Sequence, residues 1–167
     1  LNYPIRILPS RESGRTFLSK GLLRKARKIA DFNVTLYRNV INEEHILLGI
    51  EPSAILAFRD EYPELVRPDL RNEARKLASH CFTSDEFIAK EFEAGRIERN
   101  LFTSDKQHIK LHGHCQQKAI ASMAASKVML TIPENYSVEE IKSGCCGMAG
   151  AFGYEKKHYE LSMKIGE

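Results

Sequence analysis

The sequence predicts an α/β fold, a mainly parallel sheet flanked by helices and built from two related half-domains. Three observations predict it. Short apolar runs of strand length alternate with helix-period segments, the order that parallel sheets require. No linker or low-complexity stretch divides the 167 residues, enough for one domain with a real core. A turn–helix pattern also recurs, in Glu12-Ser13-Gly14-Arg15-Thr16-Phe17 and Cys145-Cys146-Gly147-Met148-Ala149-Gly150. Aligning Gly14 with Gly147 sets Glu12 and Ser13 against Cys145 and Cys146.

The elements follow in order. Ile5–Leu8 reads as a short strand. Ser19 can cap a helix whose apolar stripe is Leu18, Leu22, Ala26, Ile29 and Ala30. The apolar run His45–Ile50 has strand length, and Pro52 suits the first turn of a helix through Phe58. Pro68 opens another helix, to about Ser79, with Cys81 just past its end. Thr83-Ser84-Asp85-Glu86 is a capping-box pattern ahead of Phe87, Ile88 and Phe92. Ile109–Gly113 alternates like a strand and feeds a helix from near His114 to about Leu130. Val138–Ile141 fits either a helix capped by Ser137 or a strand. A glycine-rich loop, Gly144 to Gly153, precedes a last helix over roughly Glu155 to Ile165.

Composition narrows the function classes. The hydrophobic fraction of 43% and charged fraction of 28% are ordinary for a globular protein, and a net charge of +3 is too small to argue for nucleic acid. Between Arg11 and Lys28 stand seven basic residues (Arg11, Arg15, Lys20, Arg24, Lys25, Arg27, Lys28) and one acid, Glu12. A solvated helix face accounts for them, or a docking surface for an acidic partner. No apolar run approaches the roughly 18 residues of a membrane span, and Leu1–Leu8 lack a signal-peptide pattern. Four cysteines are too few for a secreted disulfide scaffold, so a reducing, cytoplasmic setting is expected. The chain starts without Met beside an expected strand and stops after a helical pattern, and it reads as a fragment of something longer.

Cys145-Cys146-Gly147 is the sharpest local feature. Adjacent cysteines rarely bond to each other, because the ring formed is strained. Both thiolates can reach one polynuclear metal centre if the backbone turns sharply, and Gly144, Gly147, Gly150 and Gly153 permit that turn. Inert core thiols or a redox-sensing pair are the alternatives. Cys115, in His112-Gly113-His114-Cys115, is the natural third ligand, because it stands where an expected strand gives way to a helix. His114 with the three thiolates would instead make a Cys₃His zinc site. Cys81 reads as a packed thiol apart from this group. No Walker A or Gly-x-Gly-x-x-Gly pattern is present, and no catalytic acid, base or nucleophile can be named.

Cys115, with about thirty residues to Cys145-Cys146-Gly147, resembles the opening of the signature of the cysteine-rich CCG domain family. That family includes the cysteine-rich component of heterodisulfide reductase and the iron–sulfur subunits of glycolate and lactate oxidases. His112-Gly113-His114-Cys115-Gln116-Gln117-Lys118-Ala119 and Gly144–Glu155 resemble the iron–sulfur part of large bacterial FAD-linked oxidase fusions, as do Ser19–Leu23 and Gly49–Ser53. The resemblance implies one CCG-type domain over 1–167, truncated at both ends, with a degenerate first half (1–107) and an incomplete second half (108–167). In the first half Glu12-Ser13-Gly14 replaces Cys-Cys-Gly, and Pro52-Ser53-Ala54 replaces Pro-Ser-Cys. In the second, the closing Cys-x-x-Cys would lie past Glu167.

The resemblance further implies an electron-transfer module with a 4Fe-4S-type cluster on Cys115, Cys145 and Cys146, cradled at Gly147. FAD would sit in a separate domain or subunit that oxidises a 2-hydroxy acid, and a membrane quinone or another acceptor would receive the electrons. The location implied is cytoplasmic, or peripheral to the inner membrane. The fragment itself, purified in air, is expected to hold no intact cluster. The rival reading is a redox-inactive structural or docking domain, with zinc in the surviving half.

Overall fold

The computed structural model describes residues 3–9, 11–144 and 149–166. Gly14, at φ +75°, makes the left-handed turn that opens α1 (Arg15–Ser19). A second left-handed glycine, Gly21 at φ +69°, ends it. The chain restarts as α2 (Leu23–Tyr37), whose buried stripe is Ala26, Ala30, Asn33, Val34 and Tyr37. Ser19 therefore caps nothing downstream: it closes α1, its hydroxyl donating to the Arg15 carbonyl.

Strand β1 (Leu47–Gly49) leads into α3 (Pro52–Arg59), with Pro52 in the first turn as expected. A short helix α4 (Tyr62–Leu65) and a 3-10 turn at Pro68–Leu70 precede α5 (Arg71–Ala78). Strand β2 (Cys81–Thr83) then runs into α6 (Ser84–Glu93) through the full capping box. In that box the Glu86 N–H donates to Thr83 Oγ1 at 3.4 Å and the Thr83 N–H to Glu86 Oε2 at 3.0 Å. Strand β3 (Gln107–Leu111) feeds α7 (Cys115–Ile120), and after a break α8 (Ala124–Leu130) follows. The single helix expected from His114 to Leu130 is thus two, parted at Ala121, whose backbone is extended at φ −135°. Strand β4 (Tyr136–Glu140) resolves the Val138–Ile141 ambiguity. Two 3-10 turns, Ala149–Tyr154 and Lys156–His158, lead to α9 (Tyr159–Gly166).

Pairing is parallel throughout the described sheets, as the α/β class requires. The described strands form two pairs, β1 with β2 and β3 with β4. The expected strand at Ile5–Leu8 does not form. The alignment of Gly14 with Gly147 places residues 3–7 opposite β4, which owes its ladder to β3. Among the described residues no strand lies beside 3–9, and an extended segment without a ladder partner is not a strand. It is pinned at both ends. Tyr3 packs edge-on against Phe87 and hydrogen-bonds Glu91, and the Tyr37 hydroxyl donates to the Pro9 carbonyl at 3.1 Å.

The core joins α2, α3, α4, α5 and β2 around Val34, Leu56, Tyr62, Val66, Leu77 and Cys81. Gly49 sits where β1 meets this core: a Cβ there would stand 2.3 Å from the Ile55 Cβ. Only a glycine lets α3 pack this closely on the strand that precedes it. The two elements that follow the repeated turns, α1 and the 3-10 turn Ala149–Tyr154, lie against each other. The turn at 145–148, one half of the expected equivalence of the two turns, lies outside the described residues.

Candidate functional site at the strand ends

Three loops at the carboxyl ends of β1, β3 and β4 meet, the place where open parallel sheets put their ligands. The loop after β3 carries His112, Gly113 and His114. Gly113 approaches Met123 so closely that a Cβ would stand 2.8 Å from its sulfur. His114 is the N-cap residue of α7, and Cys115 is the first residue of the helix, half-buried. The loop after β4 is tied to this corner twice. His112 Nε2 lies 3.1 Å from the Gly144 carbonyl, and Lys118 Nζ donates to the Ser143 carbonyl at 3.2 Å. The residue immediately before the cysteine pair is therefore held against the loop that bears Cys115. Cys145, Cys146 and Gly147 themselves lie outside the described residues. Among the described residues no three His, Cys, Asp or Glu side chains group closely enough to hold a metal ion.

The third loop follows β1. Glu51 caps α3 with its own carboxylate, accepting from the Ser53 N–H at 3.1 Å, the Ala54 N–H at 2.6 Å and the Ser53 hydroxyl. The same carboxylate faces His114 Nε2 at 3.3 Å. A proton on Nε2 suits that contact and leaves Nδ1 with its lone pair. Nδ1 is buried and has no hydrogen-bond partner among the described residues. Glu61 joins this seam: it pairs with Arg15 and accepts from Gln116 Nε2 at 3.4 Å. Burial pushes the Glu61 carboxyl above the usual carboxylate range, although the Arg15 guanidinium pulls the other way.

The Glu12-Ser13-Gly14 turn is held by polar contacts. Tyr62, fully buried, donates its hydroxyl proton to the Ser13 carbonyl at 2.8 Å. Asn33 Nδ2 donates to the Glu12 carbonyl at 3.2 Å and to the Tyr62 hydroxyl at 2.9 Å. Burial raises the Tyr62 phenol well above its ordinary value, so it stays a donor. The Ser13 hydroxyl also accepts from the Arg15 N–H at 3.3 Å, while Asn33 Oδ1 is buried without a partner among the described residues.

Behind Cys115, a buried network fixes α7. Gln117 Nε2 donates to Asp85 Oδ2 at 2.7 Å and lies 3.1 Å from Ser126 Oγ, and Ser126 also bonds Asp85. Burial acts to raise the Asp85 carboxyl, but hydrogen bonds from Ser126, Thr83 and Gln117 outweigh it and hold the group below its usual range. The network joins α6, α7 and α8 under the site. Sequence reading missed it, because its members are far apart in the chain; the only signal was a glutamine two residues past Cys115 on the inner face of a short helix.

Cys81 is a packed thiol, as expected. It is 1% exposed in β2, donates to the Leu77 carbonyl at 3.1 Å, and burial pushes its thiol up to about 12.

The chain is similar to parts of dehydrogenases. It is 24% identical over 166 residues to D-2-hydroxyglutarate dehydrogenase of Haemophilus influenzae, a match covering 95% of this chain and 15% of that protein. The Escherichia coli protein of the same name is 26% identical over 162 residues, covering 96% of this chain and 15% of its own length. One of the subunits of the Escherichia coli anaerobic glycerol-3-phosphate dehydrogenase is 26% identical over 156 residues, 92% of this chain and 37% of the relative. The chain thus spans a minor part of each curated relative. No family profile matches it. No solved structure matches it. No described helix is long and apolar enough to cross a membrane.

Proposed function

We propose that this chain is part of the electron-transfer module of a flavin-linked oxidoreductase, with Cys115, Cys145 and Cys146 as iron–sulfur ligands beside Gly147. The observation that carries the reading is the pair of contacts from the Cys115 loop and helix to Ser143 and Gly144, which brings the approach to the cysteine pair beside Cys115. The donor set suits the group: thiolates hold such clusters, and a half-buried helix start supplies N–H groups that tune them. A cluster there would accept and pass on single electrons, delivered from FAD in a separate domain or subunit acting on a 2-hydroxy acid and passed to a quinone or another acceptor. This chain's own residues hold and orient: Gln117 anchors the helix of Cys115, and His112 and Lys118 anchor the opposite loop. The dehydrogenase names of the relatives support the oxidoreductase class.

The first half carries no cluster in this reading. Its turn is closed by Tyr62 and Asn33, and the Glu51 carboxylate takes the N–H groups at the start of α3. A second reading has one observation in its favour. The unpartnered, buried Nδ1 of His114 suits a nitrogen ligand, so His114 with the three cysteines would hold zinc in a structural or docking domain. Metal analysis of the full-length parent, purified without air, separates the two. Iron and sulfide in equal amounts, lowered by Cys115→Ser, Cys145→Ser or Cys146→Ser and unchanged by Cys81→Ser, support electron transfer. Zinc without sulfide, lowered by His114→Ala, supports the docking domain and overturns the first reading.

A further inference from the structure

Residues 13–30 contain six basic residues and no acid. Two of the six are engaged elsewhere: Arg15 pairs with Glu61, and Arg27 Nε donates to the Leu65 carbonyl at 2.8 Å. Arg24, Lys25 and Lys28 are exposed and, among the described residues, form no ion pair. Between them and α1 lies a corner in which every residue from Ser19 to Lys25 is exposed. At its tip Gly21 makes a left-handed turn whose Cα faces open space. Beside it Leu22 is 42% and Leu23 56% exposed. These two leucines stand side by side in water among basic side chains, at the start of an otherwise well-packed helix.

A groove opens next to this corner. It has a volume of about 440 Å³, a floor of Phe17 and Ile29, and a rim of Arg11, Lys25 and Lys28, with Glu12 the acid at its edge. Lys25 lies 5.6 Å over the Phe17 ring, and Arg11 lies 4.1 Å over Phe32. Lys25 is thus held over the groove's own floor, and Arg11 over the neighbouring Phe32.

We propose that the α1–α2 corner docks on an anionic phospholipid bilayer, with Leu22 and Leu23 entering the headgroup layer and the Arg11–Lys25–Lys28 groove seating a lipid phosphate. The occupant follows from shape and charge together. Basic side chains collect at an anionic leaflet, and exposed leucines among them enter the interface. A projecting tip enters a deformable bilayer without needing a matching cavity, whereas a rigid acidic protein would need a pocket for both leucines. The proposal does not depend on the electron-transfer reading.

The test is sedimentation of the full chain with phosphatidylcholine vesicles, with and without a phosphatidylglycerol fraction. Binding is expected to the anionic vesicles alone and to fade as salt screens it. The double variants Leu22→Ser/Leu23→Ser and Lys25→Glu/Lys28→Glu should each lower partitioning at least tenfold, while an unchanged melting temperature shows that they still fold. Lys106→Glu/Lys110→Glu, the same charge change on the exposed positions around β3, should bind like the parent. Equal loss in that control reduces the effect to net charge and overturns the proposal. So does failure to bind the anionic vesicles, or equal binding to both. Greater protection of residues 19–28 from hydrogen exchange in the full-length parent than in this chain alone, without vesicles, would assign the corner to a protein partner instead, and also overturns it.

Discussion

Replacing Gln117 by alanine tests whether the buried network beneath Cys115 holds the site. Gln117 is 4% exposed, and its amide meets the Asp85 carboxylate at 2.7 Å and Ser126 Oγ at 3.1 Å. The variant removes a hydrogen bond to a charged group, worth about 1.5–3 kcal/mol, and leaves a buried carboxylate one donor short. In a chain of this size each kcal/mol moves the melting temperature by about 2–4 °C, so a fall of roughly 3–12 °C is expected by circular dichroism. The pH dependence carries the sharper signature. Asp85 has a depressed folded pKa, so its contribution is present above the unfolded pKa and is lost as pH falls through the folded value. Without Gln117 the folded pKa rises, and the acid limb of the stability curve should move to higher pH. Gln117→Glu should be worse near neutrality, from two facing carboxylates, and should recover part of the loss on mild acidification. A Gln117→Ala protein melting within about 1 °C of the parent, with an unmoved acid limb, would refute the reasoning.

Other outcomes follow from single positions. Cys81, with its thiol raised to about 12, should resist alkylation at neutral pH in the folded chain and react at once in denaturant; rapid labelling of native protein would contradict its placement in β2. Gly49→Ala should destabilise by about 1–3 kcal/mol, because the new methyl overlaps Ile55 and must push α3 off β1; denaturant titration reads this directly.

Local chemistry was the legible part of this fold. The capping box at Thr83 and Glu86, the first-turn proline at Pro52 and the strand leading to Cys115 are each written in a few neighbouring residues, and each forms. Tertiary context decided the rest. Ser19 looks like a cap, but Gly21 turns the chain before a helix can grow from it. β2 is three residues long and begins with a cysteine that reads as the end of a helix; its parallel partner β1 lies more than thirty residues upstream. Ile5–Leu8 has strand composition without a strand beside it among the described residues. At the candidate site the placement of His114 and Cys115 between a strand and a helix was readable from the sequence. The scaffold of Glu51, Glu61, Gln117 and Asp85 was not, because each contact joins two segments far apart in the chain.

The segment pinned by Tyr3 and Pro9 has a consequence for handling. Ile5 and Ile7 are 89% and 93% exposed, and the backbone between the two anchors lacks a ladder partner among the described residues. Apolar at Ile5 and Ile7 and exposed, it is a template on which another extended chain can lie down. At high concentration, copies of the protein should meet there first, and a lysine at either isoleucine would turn that sticky margin into a repelling one.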